Sequence, residues 1–124
     1  AFALRGVIGV HLGPVPTPDR VSQMADFLLT HERMRWSICT GRFGGKLFVS
    51  LRSRNPNARA GHLLRRLLGL GLAGGHGMIA GGSVPLAADS TEGAWRSKEA
   101  EVTRSFLKAL GLKEPLDLQY PFQA

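Results

Sequence analysis

The sequence predicts a single α/β domain, with one mixed central β-sheet and helices packed on it. Three observations carry that prediction. Apolar runs of strand period alternate along the chain with runs of helical period. A Gly44-Gly45 pair separates two stretches of alternating hydrophobicity, as in a hairpin. The 124 residues, 44% of them hydrophobic, make one domain's worth of chain with no internal repeat, low-complexity tract or linker.

The first element is the short apolar, β-branched run from Val7 to Leu12, which reads as a buried strand closed by Gly13 and Pro14. Thr17-Pro18-Asp19 then opens a helix: Thr17 can cap free N–H groups, Pro18 has a helical φ, and Asp19 meets the positive end of the dipole. Val21, Met24, Ala25, Leu28 and Leu29 give it one apolar face, and it should end near Thr30 or His31. In the hairpin that follows, Met34, Trp36 and Ile38 alternate with Arg35, Ser37 and Cys39. On its far side Leu47, Val49 and Leu51 alternate with Phe48, Ser50 and Arg52.

A turn at Arg54–Asn57 leads into a helix over 58–68, with Asn57 as its cap and Ala60, Leu63, Leu64, Leu67 and Leu68 on its apolar side. Gly69 and Gly71 end it. Gly74-Gly75-His76-Gly77 leads into a glycine-weakened strand from Met78 that stops at Pro85. A long helix over 91–110 puts Trp95, Val102, Phe106, Ala109 and Leu110 on one face, with Gly111 as its stop. The tail reads as extended, packed by Leu116, Leu118, Tyr120 and Phe122.

Charge points to the partner. Sixteen Lys and Arg against nine Asp and Glu leave +7. Arginine dominates, and its planar fork matches phosphate oxygens, so an anionic partner is favoured. Cys39 is the sole cysteine, which excludes an internal disulfide and a cysteine-held zinc and suits a reducing, cytoplasmic setting. No apolar run is long enough for a bilayer, so no membrane partner is expected.

The residues that could carry chemistry are few. Packed glycines from Gly69 to Gly77 let a backbone approach a ligand closely, and successive N–H groups can form an anion nest with His76 as a further donor. A helix stop followed by a turn explains the same glycines. Arg52-Ser53 closes a strand, where such sheets present side chains to ligands; a solvated charge is the plainer reading. Arg59, His62, Arg65 and Arg66 form a basic helix surface that could meet phosphates or simply face water. Trp36, Phe43 and Phe48 could stack on bases, though hairpin aromatics are more often core. His11, His31 and His62 have no metal-ligand spacing, the aspartates are scattered, and no serine sits in a nucleophile elbow. The chain contains no self-sufficient catalytic centre.

Two segments together resemble a known family. Phe48-Val49-Ser50-Leu51-Arg52-Ser53 resembles the hydrophobic-SxRS strand of the DHH-associated domain. Ala73-Gly74-Gly75-His76-Gly77-Met78-Ile79-Ala80-Gly81 resembles its GGGH-x-x-A-A-G signature, with a helix between the two as in the family. The resemblance covers residues 7–86. Ala73 stands where the family has its first glycine, which is compatible only with a backbone that does not need positive φ there, and Ile79 replaces its first alanine. The resemblance implies the substrate-binding half of a phosphoesterase, of the RecJ-like exonuclease, nano-RNase or bisphosphate nucleotidase type. Arg52 and Ser53 would contact a phosphate or the 5′ nucleotide, Gly74 and Gly75 would offer N–H groups, and His76 a hydrogen bond. It further implies manganese on a catalytic DHH domain N-terminal to Ala1, a nucleotide or short oligonucleotide as substrate, and a homodimer as an option.

Two alternatives remain. A related domain closes alanyl-tRNA synthetase and would make the chain a tRNA-binding module, although that version carries a GGRP-like loop. Arg66-Leu67-Leu68-Gly69-Leu70-Gly71 matches the pyrophosphate loop of acyltransferases, but there the loop opens a helix and here it would leave one.

Overall fold

The computed structural model describes residues 2–69, 73–86 and 89–112, so the expected tail packing and Gly71 lie outside the described residues. The chain runs β1 (Phe2–Leu4), β2 (Val7–Pro14), α1 (Asp19–Leu29), β3 (Trp36–Phe43), β4 (Lys46–Ser53), α2 (Ala60–Leu68), β5 (Ala73–Gly75), β6 (Ile79–Pro85) and α3 (Glu92–Ala109). The six strands form one sheet in the order β1-β2-β3-β4-β6-β5. Only the β2–β3 pair is parallel, so the sheet is mixed and the α/β prediction holds.

Strand alternation builds two cores. Val7, Ile38, Leu47, Val49 and Leu51 face one side, where α2 supplies Ala60, Leu64 and Leu68 and α3 supplies Val102, Phe106 and Leu107. The Trp36 ring meets Phe106 edge-on at 5.5 Å. Ser37, Cys39 and Phe48 face the other side, where α1 lays Val21 and Ala25. The Cys39 thiol is buried there, which pushes its pKa up to about 12 and leaves it unreactive as a nucleophile.

The hairpin turn falls on Gly44 and Gly45, both with positive φ (59° and 75°), as a tight two-residue turn requires. Other expectations need correction. The N-terminal strand pair includes β1, whose three residues are too few to show a period. The caps differ too: α1 starts from Pro18 with no side-chain cap, and α2 from Arg59 rather than Asn57. Asn57 instead donates its own N–H to Asn55 Oδ1 at 2.9 Å within the turn. In α3 Ala109 is exposed, whereas Glu99 shares the buried face with Val102 and Phe106. The stretch 73–75 is a strand, so Gly74 and Gly75 belong to a β-hairpin with β6 rather than to a free loop.

Candidate functional site

One end of the sheet gathers the β1–β2 turn, the start of β3, the end of β4 and the β5–β6 turn, because Val7 pairs with Trp36, Trp36 with Ser53, Arg52 with Ile79, and Gly75 with Ala80. The two segments singled out in the sequence meet at this end. The Ser53 N–H donates to Met78 O at 2.9 Å. Arg52 Nη1 donates to Leu51 O at 2.9 Å and Ala80 O at 3.3 Å.

Arg52 and Ser53 nevertheless turn to opposite faces of β4, as neighbours on a strand must. Arg52 lies on the α1 face, where its Nε is paired with Asp26 Oδ1 at 2.6 Å. Asp26 itself is largely exposed, at 65% of its side-chain surface. No described residue engages Arg52 Nη2, so among the described residues one nitrogen of the fork has no partner. Ser53 is buried on the other face, its Oγ accepting the Asn55 N–H at 3.1 Å and shaping the β4–α2 turn.

The glycines have separate jobs. Gly75 has φ +156, and a Cβ there would run into Ile79 O. One on Gly77 would run into Pro56 O, and one on Gly61 would come within 2.7 Å of Gly75 O. Gly61 and Gly77 let α2 and the turn before it press directly onto the β5–β6 hairpin, while Gly75 lets the two strands of the hairpin close. The turn caps the helix: Gly77 O accepts from Ala60 N at 3.1 Å, and His76 O from Gly61 N at 3.4 Å. Two of the helix's first N–H groups are therefore engaged by the turn. Gly74 is different. A Cβ there would meet only Arg65 Nη2, at 3.9 Å, so nothing in the packing demands glycine. Ala73 lacks positive φ, so alanine fits the family's first glycine position without strain. Arg65 donates from Nε to Ala73 O at 3.1 Å, which ties α2 to the edge strand.

No described helix covers the β5–β6 part of the α1 face. Gly74 and Gly81 pair across it, with Ile79 half exposed beside Arg52. Among the described residues this leaves an open patch of glycine backbone, with Arg52 beside it and His76 exposed in the adjoining turn. Arg59, His62 and Arg66 line the exposed face of α2. Trp36 and Phe48 pack in the two cores, so neither offers a free ring to a base.

Asp26, Gly61 and Pro56 shape the site, yet the sequence did not mark them. Asp26 stands next to the apolar positions of α1 and offers no local signal; only the pairing of β3 with β4 under α1 brings it to Arg52. Among the described residues, no three His, Cys, Asp or Glu side chains converge to hold a metal ion. None of the helices described is long and apolar enough to cross a membrane.

No protein-family model matches the chain, and no curated protein matches it. Solved structures do. The C-Ala domain of Aquifex aeolicus alanyl-tRNA synthetase superposes with a TM-score of 0.56 at 19% identity, over 83% of this chain and 98% of that one. An exopolyphosphatase-related protein of Bacteroides fragilis gives 0.53 at 16% identity, over 82% of this chain and 29% of that one. A pGpG-specific phosphodiesterase of Vibrio cholerae, PggH, gives 0.52 at 14% identity, over 83% of this chain. The chain spans 34% of that enzyme. At these identities the common ground is the fold: one domain shape that stands nearly alone in the synthetase fragment and forms about a third of two larger proteins.

Proposed function

We propose that this chain is a substrate-binding domain of the DHH-associated type, one that holds a nucleotide phosphate or the end of a short oligonucleotide for a phosphoesterase whose catalytic metal ions sit on another domain. The observation that carries this reading is the meeting of Arg52 with the β5–β6 hairpin beside a patch of glycine backbone. The unpartnered nitrogen of the Arg52 fork can donate to a phosphate oxygen, and the absent side chains at Gly74 and Gly81 let that phosphate come close. Ser53 acts on this reading by shaping the turn, since it faces away from Arg52. Manganese is not assigned to this chain, whose described carboxylates and imidazoles do not converge.

A tRNA-binding role is the second reading, favoured by the near-complete coverage of the C-Ala domain. His76 at the tip of the hairpin supports the phosphoesterase reading, because an exposed imidazole can add a hydrogen bond to a terminal phosphate.

Titration of the chain with a dinucleotide and with whole tRNA separates the two. Weak dinucleotide binding is expected, reduced at least about tenfold by Arg52→Ala, the low end of the 1.5–3 kcal/mol of a hydrogen bond to a charged group, and also reduced by His76→Ala, with both variants still folded. Manganese should bring no hydrolysis. Metal-dependent turnover by this chain alone would falsify the proposal. Tight tRNA binding indifferent to both substitutions would transfer it to the second reading.

A further inference from the structure

From Arg33 to Leu86 the sequence contains nine Lys and Arg and no Asp or Glu, so that stretch is the source of the chain's positive net charge. The fold then concentrates much of it along one line. Arg5 in the β1–β2 turn, Arg33 and Arg35 before and at the entry to β3, Arg54 after β4 and Arg59 before α2 are all exposed, and all stand at the sheet end that carries the candidate site. Backbone bonds join these loops in sequence: Arg35 N donates to Gly6 O at 2.7 Å, Arg54 N to Arg35 O at 3.0 Å, and Ala60 N to Gly77 O at 3.1 Å. No carboxylate among the described residues forms an ion pair with any of the five, and Glu32 is the one acid in these loops.

The backbone supplies an independent sign. Among the described residues, the non-glycine residues with positive φ are Arg5 (46°), Arg33 (69°) and Arg59 (56°). Left-handed backbone strains a residue with a Cβ, and glycine or asparagine fills it more easily. An arginine at each of these positions therefore works against local stability and is explained by what its charge does. Apolar side chains accompany the arginines: Phe27, in the last turn of α1, and Met78 and Ile79 are 60%, 42% and 51% exposed at the same end.

We propose that this arginine rim is a phosphate track for single-stranded nucleic acid, running from the β5–β6 turn across the sheet end to the β1–β2 turn. The inference rests on the nucleotide-binding reading above and extends it from one terminal phosphate to a strand. Six strands about 4.8 Å apart give a rim of about 24 Å. Phosphates of one stacked strand are about 3.4 Å apart, so the rim outreaches a dinucleotide. The exposed apolar groups give unpaired bases a surface, which a bare polyphosphate could not use.

The test is fluorescence anisotropy with a labelled dinucleotide and a labelled octanucleotide, across a salt series, on the wild-type chain and on Arg5→Gly and Arg33→Gly. Glycine suits positive φ, so both variants should keep the wild-type melting temperature. The octanucleotide should bind wild type at least about tenfold tighter than the dinucleotide. Each variant should weaken octanucleotide binding several-fold and reduce the slope of log K against log salt by about 0.7, while dinucleotide binding stays unchanged. Wild-type octanucleotide affinity and slope in both variants would overturn the track, yet leave the nucleotide site standing if the dinucleotide still binds. Failure of the wild type to bind either oligonucleotide would remove both proposals. Equal competition by polyphosphate of matched charge, or the same arginine dependence on anionic phosphatidylserine vesicles without oligonucleotide binding, would overturn nucleic acid as the ligand.

Discussion

Arg42 on β3 and Arg52 on β4 sit in the same sheet, at opposite ends and on opposite faces, and their surroundings differ in kind. Arg42 is saturated. Its Nε and Nη2 each meet a carboxylate oxygen of Glu99 at 3.0 Å, its Nη1 meets Glu92 at 2.5 Å, and its guanidinium lies 5.6 Å from the Trp95 ring. The bonds to Glu99 and Glu92 raise its pKa, and Arg42 in turn holds Glu92 below the usual carboxylate range. Arg52 has one exposed carboxylate, two backbone carbonyls and a nitrogen left over. A guanidinium with every nitrogen engaged by α3 fastens a helix to a sheet. One with a donor to spare can still take a ligand. The same residue type therefore fastens a helix at one end and, on the function proposed above, meets the ligand at the other.

The sharpest way to break that contrast is to remove Glu99. Its carboxylate is almost wholly buried and bidentate on Arg42, so Glu99→Ala leaves a guanidinium half compensated under α3. Breaking a buried pair costs about 3–5 kcal/mol, and the lower end is expected because Glu92 remains. Urea denaturation measures it. Nucleotide binding at the other end should persist in whatever fraction stays folded. A loss below about 1 kcal/mol would mean that the pair does not fasten α3.

Asp26 sharpens the contrast from the other side. It competes with any phosphate for Arg52, and its own side chain is mostly in water. Asp26→Asn should cost little stability and raise nucleotide affinity a few-fold, in line with the 0.2–1 kcal/mol of an exposed ion pair. Weaker binding in that variant would instead make Asp26 the residue that orients the fork for its ligand.

The two ends also differ in how far they could be read from sequence. The hairpin of β3 and β4 was legible because two alternating runs flank a glycine pair. Arg52 and the Gly74–His76 stretch were legible as a pair, and the structure does bring them together. The faces of Arg52 and Ser53 followed from the alternation that sets Arg52 with Phe48 and Ser50, but the helix that covers each face did not, since that depends on contacts between distant elements. β5 was hidden because Ala-Gly-Gly has no period and no β-branched residue. The reasons for Gly61 and Gly77 lie in contacts with backbone distant in sequence, and composition alone could not tell a packed helix from an anion nest. Glu99 broke the expected apolar face of α3 because its partner, Arg42, comes from another element.

The smallest effect expected belongs to His11, beside the saturated arginine. Its Nδ1 meets Thr40 Oγ1 at 2.6 Å and its Nε2 meets Thr103 Oγ1 at 3.0 Å. Both hydroxyls can accept from an imidazolium, so these bonds tolerate protonation. The crowding of the ring does not: lost hydration pulls its pKa below the usual 6.5, with the Arg42 charge adding to that and Glu99 opposing it. The neutral ring is then the form the fold prefers. Its contribution to stability is complete above the unfolded value of about 6.5 and is lost as pH falls through the lower folded value. Wild type should therefore lose stability between pH 7.5 and pH 5, and His11→Gln should lose less over the same range in urea titrations. Parallel losses in the two proteins would place the acid sensitivity in the carboxylates of the α3 clasp, and the imidazole would then be a spacer between two threonines.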